Sequence, residues 1–492
     1  VASPARARPE AMRPLLLALG ILSLPAAPLR GEAPRAEAPQ AENVLVLVVD
    51  DMGIDKTGVY GALGTDGAPL APRTPNIDRL ARRGILFRNA WTAPACSTCR
   101  AEALTGRYPN RTGIGNRIPF DDISAVGMRA DELTLLDLLP PRYASGVIGK
   151  WHLAGNGGLG TPTSGIDHAP RCGFDFHVGS FGNLGQAAID YFDWEQVRSF
   201  AWDLPASQEI PLADDYATTR TTDDALRAIR AFGERPFFLW VAYNAPHDPY
   251  HVPPLELVAS DDLDLGTQLG QGKAMMEALD HEIGRLLAGV DPDVLARTTV
   301  VYFSDNGTHK NLVEPPWDPN KVKGSVYNGG VSVPFLVMSP RIPLEHRGAQ
   351  CERLIDVADL LPTMGELLGF PVPAGLDGVS FLPYLSDPRA PARRPWVFTE
   401  RFRPNYVPQA GSTISSADLD LHDQAVRDER YKLLRKRRYD HLGQLTSEEL
   451  EFYDVELDWF ETQDLLDAQG QPPAELQGVF DALLGVLDQM AS

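Results

Sequence analysis

The stretch NVLVLVVDDMG, residues 43–53, decides how the rest of the chain is read. Six successive apolar, mostly β-branched residues after Asn43 predict a strand buried on both faces, and Asp50 and Asp51 stop it abruptly. A strand of that kind belongs in a parallel sheet covered by helices on each side. Three further stretches have the same form. RYASGVIGKWH (142–152) has strand-like Val147 and Ile148 before Gly149, Lys150, Trp151 and His152; PFFLWVAY (236–243) runs into Asn244, Ala245, Pro246 and His247; TTVVYFS (298–304) runs into Asp305, Asn306 and Gly307. Between them lie helical patterns. Thr74 and Pro75 supply an N-cap and first turn for Ile77, Leu80 and Ala81, stopped by Gly84. Apolar spacing predicts further helices over 218–232, 273–287 and 357–368, and one carrying Leu133, Leu135, Leu136 and Leu139.

Strands alternating with helices imply an α/β fold with a large, mostly parallel sheet sandwiched by helices, whose ligands bind outside the carboxyl ends of the strands. Asp50, Asp51, Lys150, His152, His247, Asp305 and Asn306 are therefore expected to converge. Taken singly, each has an ordinary reading as a turn, cap or loop residue. Seven such groups at matching strand ends make coincidence the poorer account.

Three carboxylates brought together need a cation, because like charges about 4 Å apart repel by roughly 4 kcal/mol per pair at an effective dielectric near 20. Ligation by Asp50, Asp51, Asp305 and the Asn306 amide oxygen is all-oxygen and suits a hard ion, Ca²⁺ or Mg²⁺. With such an ion in place, Arg100, Lys150, Lys323 and the histidines make the pocket cationic, which suits a tetrahedral oxyanion ester.

The 492 residues carry a net charge of −21, so nucleic acid is disfavoured as a partner and an anionic substrate must be drawn by a local pocket. Residues 1–40 stand apart: Met12 and Arg13 precede the apolar run PLLLALGILSL, and small and Pro-rich residues follow. That order is the order of a secretory signal, with Met12 the better start, and it places the mature protein in a periplasm or outside the cell without a membrane span. Domain boundaries are expected at 41–393 for the main domain and 394–492 for a smaller α+β subdomain with a last helix over 474–487. Within the latter, the basic run Arg435–Arg438 reads as a solvated face. Four cysteines are too few for a disulfide scaffold; Cys172 and Cys351 are either a pair or two buried thiols.

The stretch PACSTCRAEALTGRYPNRTG (94–113) holds a CxxC, Cys96 and Cys99, which by itself reads as a redox pair, half a zinc site or two unrelated thiols. Taken as Cys96, Arg100, Leu104, Thr105, Gly106 and Arg107, it resembles the signature of the formylglycine-dependent sulfatases, of the alkaline phosphatase superfamily. RYASGVIGKWH resembles that family's second signature, VVDDMG its first metal strand, NAPHDPYHVP its Pro-His loop, and SDNG with KGSVYNGG its last metal strand and lysine; the end of the chain, around EFYDVELDWFETQDLL, is similar to its C-terminal ending. The resemblance implies an alkaline-phosphatase-like fold and hydrolysis of a sulfate monoester. It implies that Asp50, Asp51, Asp305 and Asn306 bind Ca²⁺, Mg²⁺ being the second choice, with Cys96 as a further ligand once a maturation enzyme has oxidised it to formylglycine. On the same grounds the aldehyde hydrate attacks sulfur with Asp305 placed to help deprotonate it; Arg100 and Lys150 hold the formylglycine; His152 takes the proton that lets sulfate leave; and His247 and Lys323 contact the sulfate and assist the leaving oxygen. Where the family usually has Pro or Ala, and often Ser, before the arginine, this chain has Thr98 and Cys99.

Two other readings share the scaffold: a phosphatase or phosphonate monoester hydrolase, and an inactive, sulfatase-like glycan-binding protein with unmodified Cys96. The loops 154–215, 250–264 and 308–321 are expected to line the mouth and to choose between an aryl sulfate, a sulfated sugar and a small alkyl sulfate, with Trp194, Trp202, Trp317, His177, His251 and His309 as candidate sugar contacts.

Overall fold

A computed structural model of the chain describes residues 42–119, 126–155, 165–185, 190–201, 208–407 and 419–491. The N-terminal signal-like segment and Trp202 lie outside the described residues. In chain order the first twelve strands are β1 (Asn43–Val49), β2 (Ile85–Trp91), β3 (Ala144–Gly149), β4 (Phe176–Gly179), β5 (Trp194–Glu195), β6 (Val197–Ser199), β7 (Gln208–Glu209), β8 (Leu212–Ala213), β9 (Phe237–Ala242), β10 (Thr298–Ser304), β11 (Phe335–Met338) and β12 (Ala349–Asp356). Ten of them form one sheet in the order β12-β2-β11-β10-β1-β9-β3-β4-β6-β7, while β5 pairs with β8. The four strands expected from the sequence are its centre: β10, β1, β9 and β3 are adjacent and mutually parallel. β11 runs antiparallel to both of its neighbours, making the sheet mixed.

The uninterrupted apolar run of β1 has a direct cause. Val44, Val46 and Val48 enter the core on one face of the sheet, whereas Leu45, Leu47 and Val49 enter the core on the other. The first face is covered by the helices Cys96–Thr105 and Leu360–Leu368 through Leu104, Leu360, Leu361 and Met364. The second is covered by Pro75–Arg83, Ala217–Phe232 and Gln268–Gly289 through Ile77, Leu80, Leu226, Ile229, Met276 and Ile283. Each such aliphatic side chain contributes about 1.5–3 kcal/mol on burial, so both layers hold the strand ends in place. No helix among the described residues is long and apolar enough to cross a membrane.

The chain after residue 394 forms a four-stranded antiparallel sheet of β13 (Val397–Arg403), β14 (Leu421–Arg427), β15 (Tyr431–Tyr439) and β16 (Leu445–Asp454), with the helix Gln477–Ala491. It packs on the large sheet through a shared cluster of Trp91 and Leu354 with Val397, Leu434 and Tyr453. The basic run in β15 is not the solvated face that its composition suggests. Arg435 is buried, donating to Gln424 and to the Leu487 carbonyl, and Lys436 is paired with Glu451. The cause is cover on both faces: Lys432, Leu433, Leu434 and Arg435 are buried in succession, so neighbouring residues on opposite faces both meet partners.

One other expectation changes, and one helix is new. The leucine cluster at 133–139 makes only a one-turn helix, Leu135–Leu138, set by a Thr134–Asp137 capping box. The Cys96 segment is itself helical, with Cys96 at its first position and Gly106 as a left-handed C-cap.

Candidate active site

The site is assembled by strand register. In the parallel pairing Val49 sits opposite Ser304, so Asp50 and Asp305 leave the sheet side by side. Gly149 sits opposite Ala242, which brings Lys150 to the same edge. Gly149 has a positive φ, and a Cβ there would lie 2.0 Å from the Ala242 carbonyl oxygen; only glycine lets β3 end so close to β9. Asp51 and His152 are left-handed at φ 70° and 57°, a conformation that costs a side-chain-bearing residue on the order of 1–3 kcal/mol and is found where function fixes it.

All the residues expected at the centre are there, and all but Lys323 are fully buried or nearly so. Each acid is paired to one fixed cation through one oxygen. Lys150 Nζ bonds Asp50 Oδ2; Lys323 Nζ lies 2.5 Å from Asp51 Oδ1; Arg100 Nε and Nη2 donate to Asp305 Oδ2 at 3.0 and 2.7 Å. Asn306 Nδ2 donates to Asp51 Oδ1 at 2.8 Å and to the Gly307 carbonyl at 2.9 Å. The remaining oxygens, Asp50 Oδ1, Asp51 Oδ2, Asp305 Oδ1 and Asn306 Oδ1, are buried and have no hydrogen-bond partner. A buried unpaired oxygen is costly, and four from four neighbouring side chains fit one hard cation. Ligand atoms of Asp50, Cys96 and Asp305 lie within 4.8 Å of one another, as do those of Asp50, Asp51 and His247.

Electrostatics follow from this packing. Burial pushes the Asp50 carboxyl up, but Lys150, His247, Lys323 and Arg100 together outweigh it and hold it far below the usual range. Asp305 goes the other way: burial and the Asp50 charge, against Arg100 and Lys150, raise it to about 7. Burial lowers and Asp51 raises the Lys323 ammonium, with a net rise that keeps it charged. The Cys96 thiol is pushed up by burial despite Lys150 and Lys323.

His152 Nδ1 lies 3.2 Å from Cys96 Sγ, and its Nε2 is 3.0 Å from the Ile118 carbonyl. A carbonyl only accepts, so Nε2 carries the hydrogen and Nδ1 presents a lone pair to residue 96. Burial, Lys150 and Arg100 all disfavour a second proton and put its pKa well below the ordinary 6.5. His247 donates from Nδ1 to the Asp248 carbonyl at 2.7 Å, leaving Nε2 as the atom turned to Asp51 Oδ2, 4.0 Å away. Burial and Lys323 lower its pKa, with Asp51 and Asp50 opposing.

The chain matches the profile of the Sulfatase family over residues 42–370. It belongs to that family. Human N-acetylgalactosamine-6-sulfatase is 31% identical over 403 residues, covering 77% of this chain and 70% of the relative, and mouse steryl-sulfatase is 30% identical, covering 70% and 65%. The crystal structure of Ps i-CgsB has the same fold, with a TM-score of 0.68 at 22% identity over 92% of this chain and 93% of that one. The sulfatase is accordingly a sulfuric ester hydrolase built on a mixed, mostly parallel sheet with a small antiparallel C-terminal sheet.

Some expected contacts lie elsewhere. Trp194 and His177 are core residues of the sulfatase, His177 bonding the Gly149 carbonyl, and His251 stacks among Tyr191, Phe192 and Tyr216. His309 stays at the mouth, its Nδ1 bonded to the Tyr250 hydroxyl at 2.9 Å, and it feels the charges of Asp51 and Lys323. Arg107 of the cysteine motif pairs with Glu132, away from the acids. All four cysteines are free and buried.

Sequence reasoning missed the supports of Lys323 and Asn306. The turn Asn328–Val331 accepts from Gly307 N through the Gly330 carbonyl, and a Cβ on Gly307 would lie 1.8 Å from the Gly329 oxygen. That turn is held from the C-terminal region: Glu461 Oε2 accepts from Asn328 N at 2.7 Å, and Lys432 Nζ reaches Asn328 Oδ1 at 3.1 Å and Glu461 at 2.6 Å. No local pattern announces a pair separated from the site by so much chain.

Proposed function

We propose that the protein hydrolyses the sulfate monoester of a saccharide to an alcohol and inorganic sulfate, using Cys96 after its oxidation to formylglycine by a maturation enzyme and Ca²⁺ held by Asp50, Asp51, Asp305, Asn306 and residue 96. The observation that carries the reading is the set of four orphaned buried oxygens beside Cys96, each acid already neutralised by its own fixed cation. Ca²⁺, with Mg²⁺ the poorer fit, supplies positive charge for the sulfate oxygens, and the aldehyde hydrate supplies a hydroxyl nucleophile whose later collapse needs no second attack on sulfur.

The chain's own residues then divide the work. Arg100, its Nη1 on the Lys150 carbonyl at 2.7 Å and its other nitrogens on Asp305, and Lys150 on Asp50 fix the groups around residue 96. Asp305, kept ionised by Arg100 and by the ion it would hold, is placed to draw a proton from the attacking group. His152 Nδ1 is the lone pair nearest residue 96 and takes the proton whose removal lets sulfate leave. Lys323 and His247 face the same space from the Asp51 side and serve the sulfate and leaving oxygens, Lys323 as the charged donor. A saccharide is favoured over a steroid by the polar groups near Asp51 and Lys323, where Tyr250 is bonded to His309 and feels the charge of Asp248. The apolar run after Met12 supports export to the periplasm or beyond.

The test is sulfate release, read by ion chromatography, across sulfated saccharides, aryl and steryl sulfates and the matching phosphates. Sulfated sugars are expected to be turned over fastest, and Cys96→Ala to abolish release. Phosphate esters outpacing sulfates, or undiminished release by Cys96→Ala, would overturn the proposal.

A further inference from the structure

The loop joining Asn306 to Lys323 has two faces, and only one serves the reaction centre. On the other, Trp317 forms part of a cavity of about 330 Å³ whose wall also includes Tyr60, Leu63, Arg88, Trp459 and Phe460. The loop is firmly held there. Glu314 bonds the buried Lys56 at 2.6 Å and Lys273 at 3.0 Å, and Trp317 packs with Leu70 and Val322, the residue before Lys323. Phe460 meets Trp317 edge to face at 5.4 Å. One firmly held segment therefore joins the cavity, through Trp317, to the reaction centre, through Asn306 and Lys323.

Its lining has the chemistry of a sugar site with an acidic substituent. Aromatic rings from three separate parts of the chain offer apolar faces to the C–H face of a pyranose. Arg88 is the one cation in the lining, and it is pre-set: Nε donates to Gln350 at 2.9 Å, Nη1 to the Tyr60 carbonyl at 3.1 Å, and the guanidinium lies over the Tyr60 ring. Among the described residues Nη2 has no protein partner, and no acid lines the cavity to neutralise the charge. On a chain of net charge −21, a concave aromatic surface with one oriented, uncompensated arginine selects an anionic ring over a neutral or cationic one.

We propose that this cavity binds a non-reacting anionic sugar of the same glycan whose terminal sulfate ester is hydrolysed, so that the substrate is a chain and not a lone monosaccharide. The inference rests on the saccharide reading of the active site. Binding energy at the remote ring would raise kcat/KM for longer substrates without touching the reacting groups.

The test compares two probes with the intact, matured protein: 6-sulfated N-acetylgalactosamine, and a tetrasaccharide alternating that sugar with a uronic acid. The wild type is expected to prefer the tetrasaccharide in kcat/KM. Trp459→Ala is expected to cut the tetrasaccharide value about fivefold and to leave the monosaccharide value unchanged. Leu63, 53% exposed at the rim, supplies a pair of variants with little folding risk. Leu63→Glu should lower and Leu63→Lys raise the tetrasaccharide value, each with its ratio to the monosaccharide moving in the same sense. No preference for the tetrasaccharide, a preference that survives all three variants, or equal losses on both probes would overturn the proposal. Failure of the saccharide reading itself is separately visible, as sulfate release from aryl or steryl sulfates with none from either sugar.

Discussion

At the scale of single residues, the centre works by division of each side chain's atoms. One oxygen of each acid is committed to Lys150, Lys323 or Arg100, and the other is left for a cation. Asp51→Asn replaces an acceptor with a donor at that position and removes the partner of Lys323. It is expected to weaken Ca²⁺ binding by more than about tenfold in calorimetry, since even residues behind the ligands cost that much in metal sites. The tautomer of His152 carries a pH consequence. Because burial and the nearby cations hold its pKa well below 6.5, Nδ1 stays unprotonated through weakly acidic conditions. Loss of the base requires a proton to be added, so the fall of kcat on the acid side should set in well below pH 6.5 and not at it, as a kcat–pH profile will show. The seven strand-end groups were legible because each stands at the end of an apolar run that announces itself locally. His152's partner Ile118 was not, since a backbone acceptor has no residue-type signal.

At the scale of elements, the supports matter as much as the ligands. The Asn328–Val331 turn backs Gly307 on one side and is tied to Lys432 and Glu461 on the other. Burial pulls the Lys432 ammonium down to about 8 while Glu461 opposes the fall, and both side chains are fully buried. Glu461→Ala would leave that ammonium without its counter-ion, a change worth about 3–5 kcal/mol of stability. A drop in the thermal midpoint together with a loss of activity is expected, with Glu461→Gln, which keeps an acceptor for Asn328 N, recovering activity further than stability. Gly307→Ala must displace the Gly329 carbonyl, so it should lower metal affinity even where the fold survives. The helix beginning at Cys96 was missed in the sequence for an understandable reason. Its residues are buried on every side, so the apolar periodicity that marks an amphipathic helix is absent.

For the whole molecule, the central parallel strands could be read from the sequence because burial on both faces removes polar alternation, and β1 shows it most plainly. The edge strands and the loops between β3 and β9 could not, because two- and three-residue strands owe their pairing to tertiary contacts. The same compaction shapes stability against acid. His168 and His177 are buried neutral, and burial lowers both to about 4 from an ordinary 6.5. Between those values the unfolded chain binds protons that the folded one refuses, so stability is fully present above pH 6.5 and is lost as the pH falls towards 4. Urea midpoints should decline across that window, and less steeply in His177→Gln, which keeps an N–H for the Gly149 carbonyl.

The chemistry proposed for this sulfatase turns on residue 96, and the most direct measurement is the mass of the peptide Asn89–Arg100 from protein that releases sulfate, made in its native host. The account predicts an aldehyde at position 96, shown by the mass of a thiol replaced by a carbonyl and by capture with a hydrazide. Active protein whose peptide carries only an intact, alkylatable Cys96 would contradict it.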